Sequence, residues 1–167
     1  MVAITTRGFD RIERGLATAP ANLAALTHQA MTASLLEIEA DARSNVAQDT
    51  RALANSITHR IAGTGITLTG QVGPSKRYGW NAEHGRKPGK YPPIDALIGW
   101  ARRHGIGTAL RGYRDGAFLV ARKIARFGTK PQPFLGPAYR RARPNIRARF
   151  AKLGVRFTSS ITKGHRA

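Results

Sequence analysis

Apolar positions along the chain change spacing several times, and each spacing predicts an element. From about Ala21 to Val46 the sequence is alanine-rich, and Met31, Leu35, Ile38 and Ala42 recur at helical intervals. This predicts an amphipathic helix of more than about six turns, long enough to cross one whole face of a domain. Glu37, Glu39, Asp41 and Arg43 supply its wet sides. Phe9 to Leu16 predicts a shorter helix ahead of it, interrupted at Thr18-Ala19-Pro20, and the polar run Ser44 to Thr50 closes the long helix.

Past Ser56 the period drops to two. Ile57, His59 and Ile61 fall on one side of Ser56–Ile61. Ile66, Leu68 and Val72 oppose Thr67, Thr69 and Gln71 in the next run, and Gly63-Thr64-Gly65 lies between the two, so the pair reads as a β-hairpin. Gly73-Pro74-Ser75 is the following turn. Arg77 to Glu83 predicts a third strand, with Tyr78, Trp80 and Ala82 on one face.

Gly85 to Pro93 is a basic, proline-rich loop. Pro92 and Pro93 open a helix whose apolar face is Ile94, Leu97, Ile98 and Ala101; Arg102, Arg103 and His104 sit in its last turn, where cations suit the helix dipole, and Gly105 ends it. Gly107 to Gly116 is a second glycine- and arginine-bearing loop. Gly85 to Tyr91 and Gly107 to Arg114 are expected to be mobile in the free chain and ordered by neighbouring subunits. Asp115 is the expected N-cap of the next helix, in which Phe118, Ala121, Ile124 and Ala125 face inward and Arg122, Lys123 and Arg126 outward. Gly128 stops that helix. Pro131 and Pro133 stiffen the link that follows, and Phe134 and Leu135 anchor it to the core. Pro137 suits the first turn of a basic helix with apolar positions Leu135, Tyr139, Ala142, Ile146, Phe150 and Leu153. Pro144 is expected to kink or split that helix, at roughly 3 kcal/mol if it stays straight. Gly154 ends it, Val155-Arg156-Phe157 adds a short strand, and Ser159 to Ala167 is a basic tail.

These elements predict an α+β fold. A small antiparallel sheet of three to four strands is packed by a long N-terminal helix and by C-terminal helices, in a single domain over residues 1–158 with the tail 159–167 beyond it. With 167 residues the chain can bury a core without disulfides or metal, and it has no cysteine. No stretch approaches the roughly 18 apolar residues of a membrane span, and MVAITTRGFDRIERG lacks the apolar core of a secretory signal. No membrane role is expected, and the cytoplasm is the expected place of synthesis and use.

Charge changes the picture most. The net charge is +19, unevenly spread. Met1 to Thr58 holds five Lys/Arg against six Asp/Glu, whereas Gly116 to Ala167 holds thirteen Lys/Arg and no acid. Such an excess implies a polyanionic neighbour, either nucleic acid or an acidic protein surface, although a solvated basic face is the plainer alternative.

Candidate chemistry is sparse. Glu83 beside His84 could form an acid/base couple or half a metal site, but no further ligand stands at a suitable spacing, and pairing of Glu83 with Arg86 or Arg126 is the structural alternative. His28, His59, His104 and His165 are scattered, and His59 reads as a half-buried strand residue. No nucleophile elbow or phosphate-cradling loop is present. Tyr78, Trp80 and Tyr91 interleave with Lys76, Arg77, Lys87 and Lys90, as on a surface that stacks single strands, but core packing of Tyr78 and Trp80 is the favoured expectation. No catalytic residue, cofactor or metal site is assigned.

Three blocks then point in one direction. ARKIARFGTKPQPFLGPAYRRA, the block Asp49 to Ile57 (DTRALANSI) and Tyr78 to Gly85 (YGWNAEHG) occur in an order that resembles the neck proteins of long-tailed phages, the head–tail connector or tail-completion family. The second block resembles the family's D-T-G-x-L-x-x-S-I, with Arg51 where glycine is usual, and PPIDALIGWARRHGI resembles an insertion found in some members. The likeness spans roughly Ala42 to Leu153. It implies a structural virion protein, without enzymatic activity or cofactor, that assembles as a homo-oligomeric ring around the DNA channel and contacts head-connector and tail proteins. The candidate partner- or DNA-facing cations are Arg122, Lys123, Arg126, Lys130, Arg140, Arg141, Arg143 and Arg147, with Phe134 as core anchor. A small basic protein that binds nucleic acid regardless of sequence is the alternative.

Overall fold

The computed structural model describes residues 9–46, 49, 51–108 and 112–163. The N-terminal start, residues 109–111 of the second loop and the tail end 164–167 lie outside the described residues. The fold is α+β and groups into two compact units, one running up to Ser75 and resuming at Phe134, the other Lys76–Pro133.

The first unit is built on helix α1 (Phe9–Asn45), about 55 Å long at 1.5 Å per residue. It continues through Pro20, where the sequence predicts a break. Leu35, Ile38, Ala42 and Val46 are buried along the expected stripe. Glu39, assigned to a wet side, is buried as well, because Arg43 one turn on (2.6 Å) and His59 (2.5 Å) close over its carboxylate. Arg43 also donates to the Ile57 carbonyl at 2.7 Å, so a single ion cluster ties the helix to the sheet.

A one-turn helix α2 (Ala52–Asn55) follows. Its N-cap Arg51 has φ 55°, the only positive φ at a non-glycine among the described residues.

Strands β1 (Ile57–Thr64) and β2 (Thr67–Pro74) pair antiparallel, with Ile57 opposite Pro74 and Thr64 opposite Thr67. The two-residue turn is Gly65-Ile66, and Gly65 at φ 60° supplies the positive angle that such hairpins require. Ile57, His59 and Ile61 face inward with Leu68 and Val72, as their alternation predicts. Ile66 does not; it sits in the turn and is 62% exposed. Gly70 lies where β2 crosses α1, since a Cβ there would stand 2.7 Å from Met31 Sδ and 2.8 Å from a Leu35 methyl.

The sheet has two strands, not three or four. Arg77 to Glu83, expected as the third strand, falls instead on a short helix, α3 (Tyr78–His84). The segment holds no β-branched residue, and the apparent alternation of Tyr78, Trp80 and Ala82 rests on only three positions.

Helix α6 (Leu135–Lys163) closes the first unit. It is one helix, with Pro144 inside it, and it absorbs both Gly154 and the expected strand at Val155–Phe157. Residues 159–163, expected in a loose tail, are helical. Its inner face packs along α1, and the two helices run antiparallel, since Asp41 meets Arg141 and Glu37 meets Arg149. Phe134, Ala138 and Ala142 are buried at its start.

The second unit contains α3, α4 (Ile94–Arg103) and α5 (Tyr113–Phe127), with α4 packed on α5. Helix α4 starts after Pro93, as expected. Helix α5 begins two residues before Asp115, which therefore lies in the first turn while Gly112 takes the N-cap position. The carboxylate still favours the positive end of the dipole. Gly116 is packed against the chain at Ile106, whose carbonyl oxygen lies 2.1 Å from where a Cβ would be. The loop Gly85–Tyr91 is tied down: Arg86 and Thr129 exchange backbone hydrogen bonds (3.1 and 2.9 Å), and Gly89 N–H donates to the Ala125 carbonyl.

Candidate polyanion-binding faces

The eight candidate cations fall in two places. Arg140, Arg141, Arg143 and Arg147 lie on α6 in the first unit; Arg122, Lys123, Arg126 and Lys130 lie on α5 and its C-terminal link in the second. All eight are exposed.

Helical geometry sorts the α6 arginines into two stripes. Arg140, Arg143 and Arg147, spaced i, i+3 and i+7, share one exposed face, and no carboxylate among the described residues pairs with them. They cover about 10 Å of helix axis, over which one strand of duplex DNA presents about three phosphates.

Arg141 belongs to the other stripe. With Asn145 and Arg149, at i, i+4 and i+8, it faces acidic residues of α1. Arg141 Nε donates to Asp41 at 2.8 Å, Asn145 Nδ2 to Glu37 at 2.6 Å, and Arg149 reaches both Glu37 (2.9 Å) and the buried Ser34 hydroxyl (2.8 Å). Arg141 is thus a structural ion pair at the helix seam. The run Gly116 to Ala167 has no acids of its own, but the near-neutral N-terminal part brings its carboxylates back to it. The seam was legible in principle, since Ser34, Glu37 and Asp41 stand at i, i+3 and i+7 on α1, a polar stripe that matches Arg141-Asn145-Arg149 in length.

The hydrogen bonds set the charge state of this seam. Asn145 and Arg149 hold the Glu37 carboxyl below the ordinary carboxylate range, and Arg141 does the same for Asp41. A depressed folded pKa means stabilisation present above the ordinary value and lost as pH falls through the folded one. The melting temperature should therefore stay level from pH 8 to 5 and fall below roughly pH 4. The double variant Glu37→Gln, Asp41→Asn should melt lower at neutral pH and show a shallower acid fall. The effect is small, under about 1 kcal/mol per pair, because both carboxylates are partly exposed.

Beside the exposed stripe, α1, β2 and α6 enclose an apolar cleft of about 360 Å³, with Met31, Leu35, Val72, Tyr139, Ile146 and Phe150 among its walls.

On α5, Arg122 and Lys123 are exposed, away from the stripe formed by the buried Ala117 and Ala121. Arg126 lies over the Phe127 ring at 5.2 Å, a cation–π contact. Phe118, expected on the inner stripe, is 43% exposed and stacks on Tyr91 at a centroid distance of 6.2 Å. Among the described residues no three His, Asp or Glu side chains gather as a metal site, and no helix is long and apolar enough to cross a membrane. His59 is the half-buried strand residue expected of it, engaged by Glu39.

No protein-family model, no curated protein and no solved structure matches the chain.

Proposed function

We propose that this chain is a structural component of a tailed-phage neck, acting in head–tail connection or tail completion. Its place is then the virion, with assembly in the host cytoplasm. The observation that carries the reading is the ordered set of three blocks that resembles that family. Arg51 supports it: the residue that replaces the family's usual glycine holds a backbone angle that favours glycine, φ 55°. The turn geometry thus agrees with the pattern even where the residue departs from it.

In this reading the chain forms a homo-oligomeric ring around the DNA channel and contacts neighbouring connector and tail proteins. The Arg140-Arg143-Arg147 stripe meets an acidic face of an adjoining ring, with a lesser contribution from DNA phosphates. The α6 geometry favours this division, because its arginines leave the opposite face of the helix for the core.

Reversal of Arg140, Arg143 and Arg147 to glutamate tests it. The variant should fold, since none of the three has a partner among the described residues, and particles carrying it should fail to join heads to tails. Free wild-type chain should be monomeric and bind duplex DNA only weakly, without sequence preference, its log affinity falling with log salt by about 0.9 per phosphate met. Normal joining together with loss of a nanomolar DNA affinity would overturn the neck reading in favour of a basic nucleic-acid-binding protein.

A further inference from the structure

The unit Lys76–Pro133 carries a second surface that the neck reading does not use. It holds thirteen Lys/Arg against three acids. Among the described residues its exposed large apolar side chains are almost all aromatic: Tyr78, Trp80, Tyr91, Phe118 and Phe127, with Leu119 the one aliphatic. Core packing of Tyr78 and Trp80, the expectation from sequence, is overturned; they are 48% and 68% exposed. Once Tyr78–His84 is helical, with only seven residues, its large rings have too little helix behind them to be enclosed.

Trp80 is held flat and ready. His84, one turn on, stacks against the indole at 3.8 Å with the planes 26° apart, and its Nδ1 lies 3.3 Å from the Trp80 carbonyl oxygen. Stacking covers one face of the indole, and Trp80 is still 68% exposed. The same i, i+4 device recurs at Trp100 and His104, with centroids 4.1 Å apart, but there the indole is only half exposed.

Trp80 and His84 open onto a cleft of about 580 Å³, whose other lining includes Asn81, Arg86, Lys87 and Thr129. Its floor is fixed. The Arg86–Thr129 backbone pair spans it, Gln132 N–H donates to the Ala82 carbonyl (2.8 Å), and Arg86 Nη2 donates to the Lys90 carbonyl (2.6 Å). The cleft therefore combines a preset ring face, two cations and the side-chain amide and hydroxyl of Asn81 and Thr129.

We propose that this cleft binds single-stranded nucleic acid, with a base stacked on the free face of Trp80 and the adjoining phosphates met by Lys87 and Arg86. The chemistry fits an unpaired strand better than a duplex, because a paired base offers no open face to an indole. It fits a strand better than an acidic protein, because the exposed apolar surface is made of rings set among cations rather than of aliphatic side chains. An amide and a hydroxyl at the rim suit any base, so no sequence preference is expected. The inference stands apart from the neck reading, whose proposed contact surface is the Arg140-Arg143-Arg147 stripe of α6.

Fluorescence anisotropy of labelled twenty-nucleotide oligo(dT), compared with a duplex of equal length at about 0.1 M salt, tests it on the full chain. Wild type should bind the single strand more tightly. Trp80→Ala should weaken single-strand binding about tenfold or more and leave duplex binding unchanged, whereas Trp80→Phe, which keeps a ring, should stay within about threefold of wild type. Trp100→Phe should retain both affinities, and in that background oligo(dT) should quench the remaining Trp80 emission, a reading that holds even if Trp80→Ala fails to fold. Equal loss on single strand and duplex, or no quenching of Trp80, would overturn the proposal. So would unchanged oligo(dT) affinity together with altered self-association in Trp80→Phe, which would assign the surface to a protein contact.

Discussion

Phe134→Ala should lower the unfolding free energy by about 3–5 kcal/mol. The ring is completely buried, among the largest side chains to be so. It follows Pro131 and Pro133, which fix the incoming backbone, and it immediately precedes α6, where the Ala138 N–H reaches its carbonyl at 3.4 Å. Truncation removes the apolar contacts and leaves a hole that stiff neighbours fill poorly. Phe134→Leu, which keeps most of the volume, should cost less than about 1.5 kcal/mol. The measurement is the urea midpoint at unchanged slope. A loss below about 1 kcal/mol for the alanine variant would show that the ring adds little to the folded chain and is reserved for a partner.

The position of Phe134 was legible because its neighbours left it little choice. Two prolines ahead of it exclude helix and central strand there, and a large apolar residue directly after them has little use except burial. The hairpin was equally plain from its period of two and its glycine turn. The long helices were legible in their apolar stripes but not in their ends. Pro20 and Pro144 both lie inside helices that local rules would break, and the packing of α1 against α6 outweighs the local cost of Pro144.

Two of the failures share a cause. Glu39 reads as a solvent-facing acid until His59 and Arg43 surround it, and Arg141 reads as a free cation until Asp41 meets it. Partners distant in sequence decide both, and a count of local charge cannot see them. The third strand failed for a different reason. Tyr78, Trp80 and Ala82 alternate in Tyr78–His84, yet Trp80 and His84 also stand at i, i+4, and over seven residues the two periods compete on equal terms. The candidate single-strand cleft was therefore visible as a composition of aromatics and cations but not as a geometry. Its stacked pair exists only in the helical form.

Gly128→Ala should cost the Lys76–Pro133 unit about 3 kcal/mol or more. Gly128 ends α5, as its position predicts, but not through the ordinary left-handed cap. Its φ of 72° comes with ψ −162°, a region open essentially to glycine alone. An asparagine, which tolerates the common left-handed cap, should rescue nothing here. A second obstacle is steric: a Cβ would stand 2.1 Å from the Arg86 carbonyl oxygen, a backbone atom that accepts a hydrogen bond from Thr129. Either the bridge breaks or the helix end moves. The damage should be local, because the bridge joins only Arg86 and Thr129, while α4 and α5 pack on each other independently of it. Hydrogen exchange should show the Arg86, Gly89 and Thr129 amides losing protection in the variant while those inside α1 keep theirs. Oligo(dT) affinity should fall with them, since the same bridge floors the Trp80 cleft. Retained protection at Arg86 and Thr129 would mean the bridge contributes little in solution, and the preset geometry argued for that cleft would go with it.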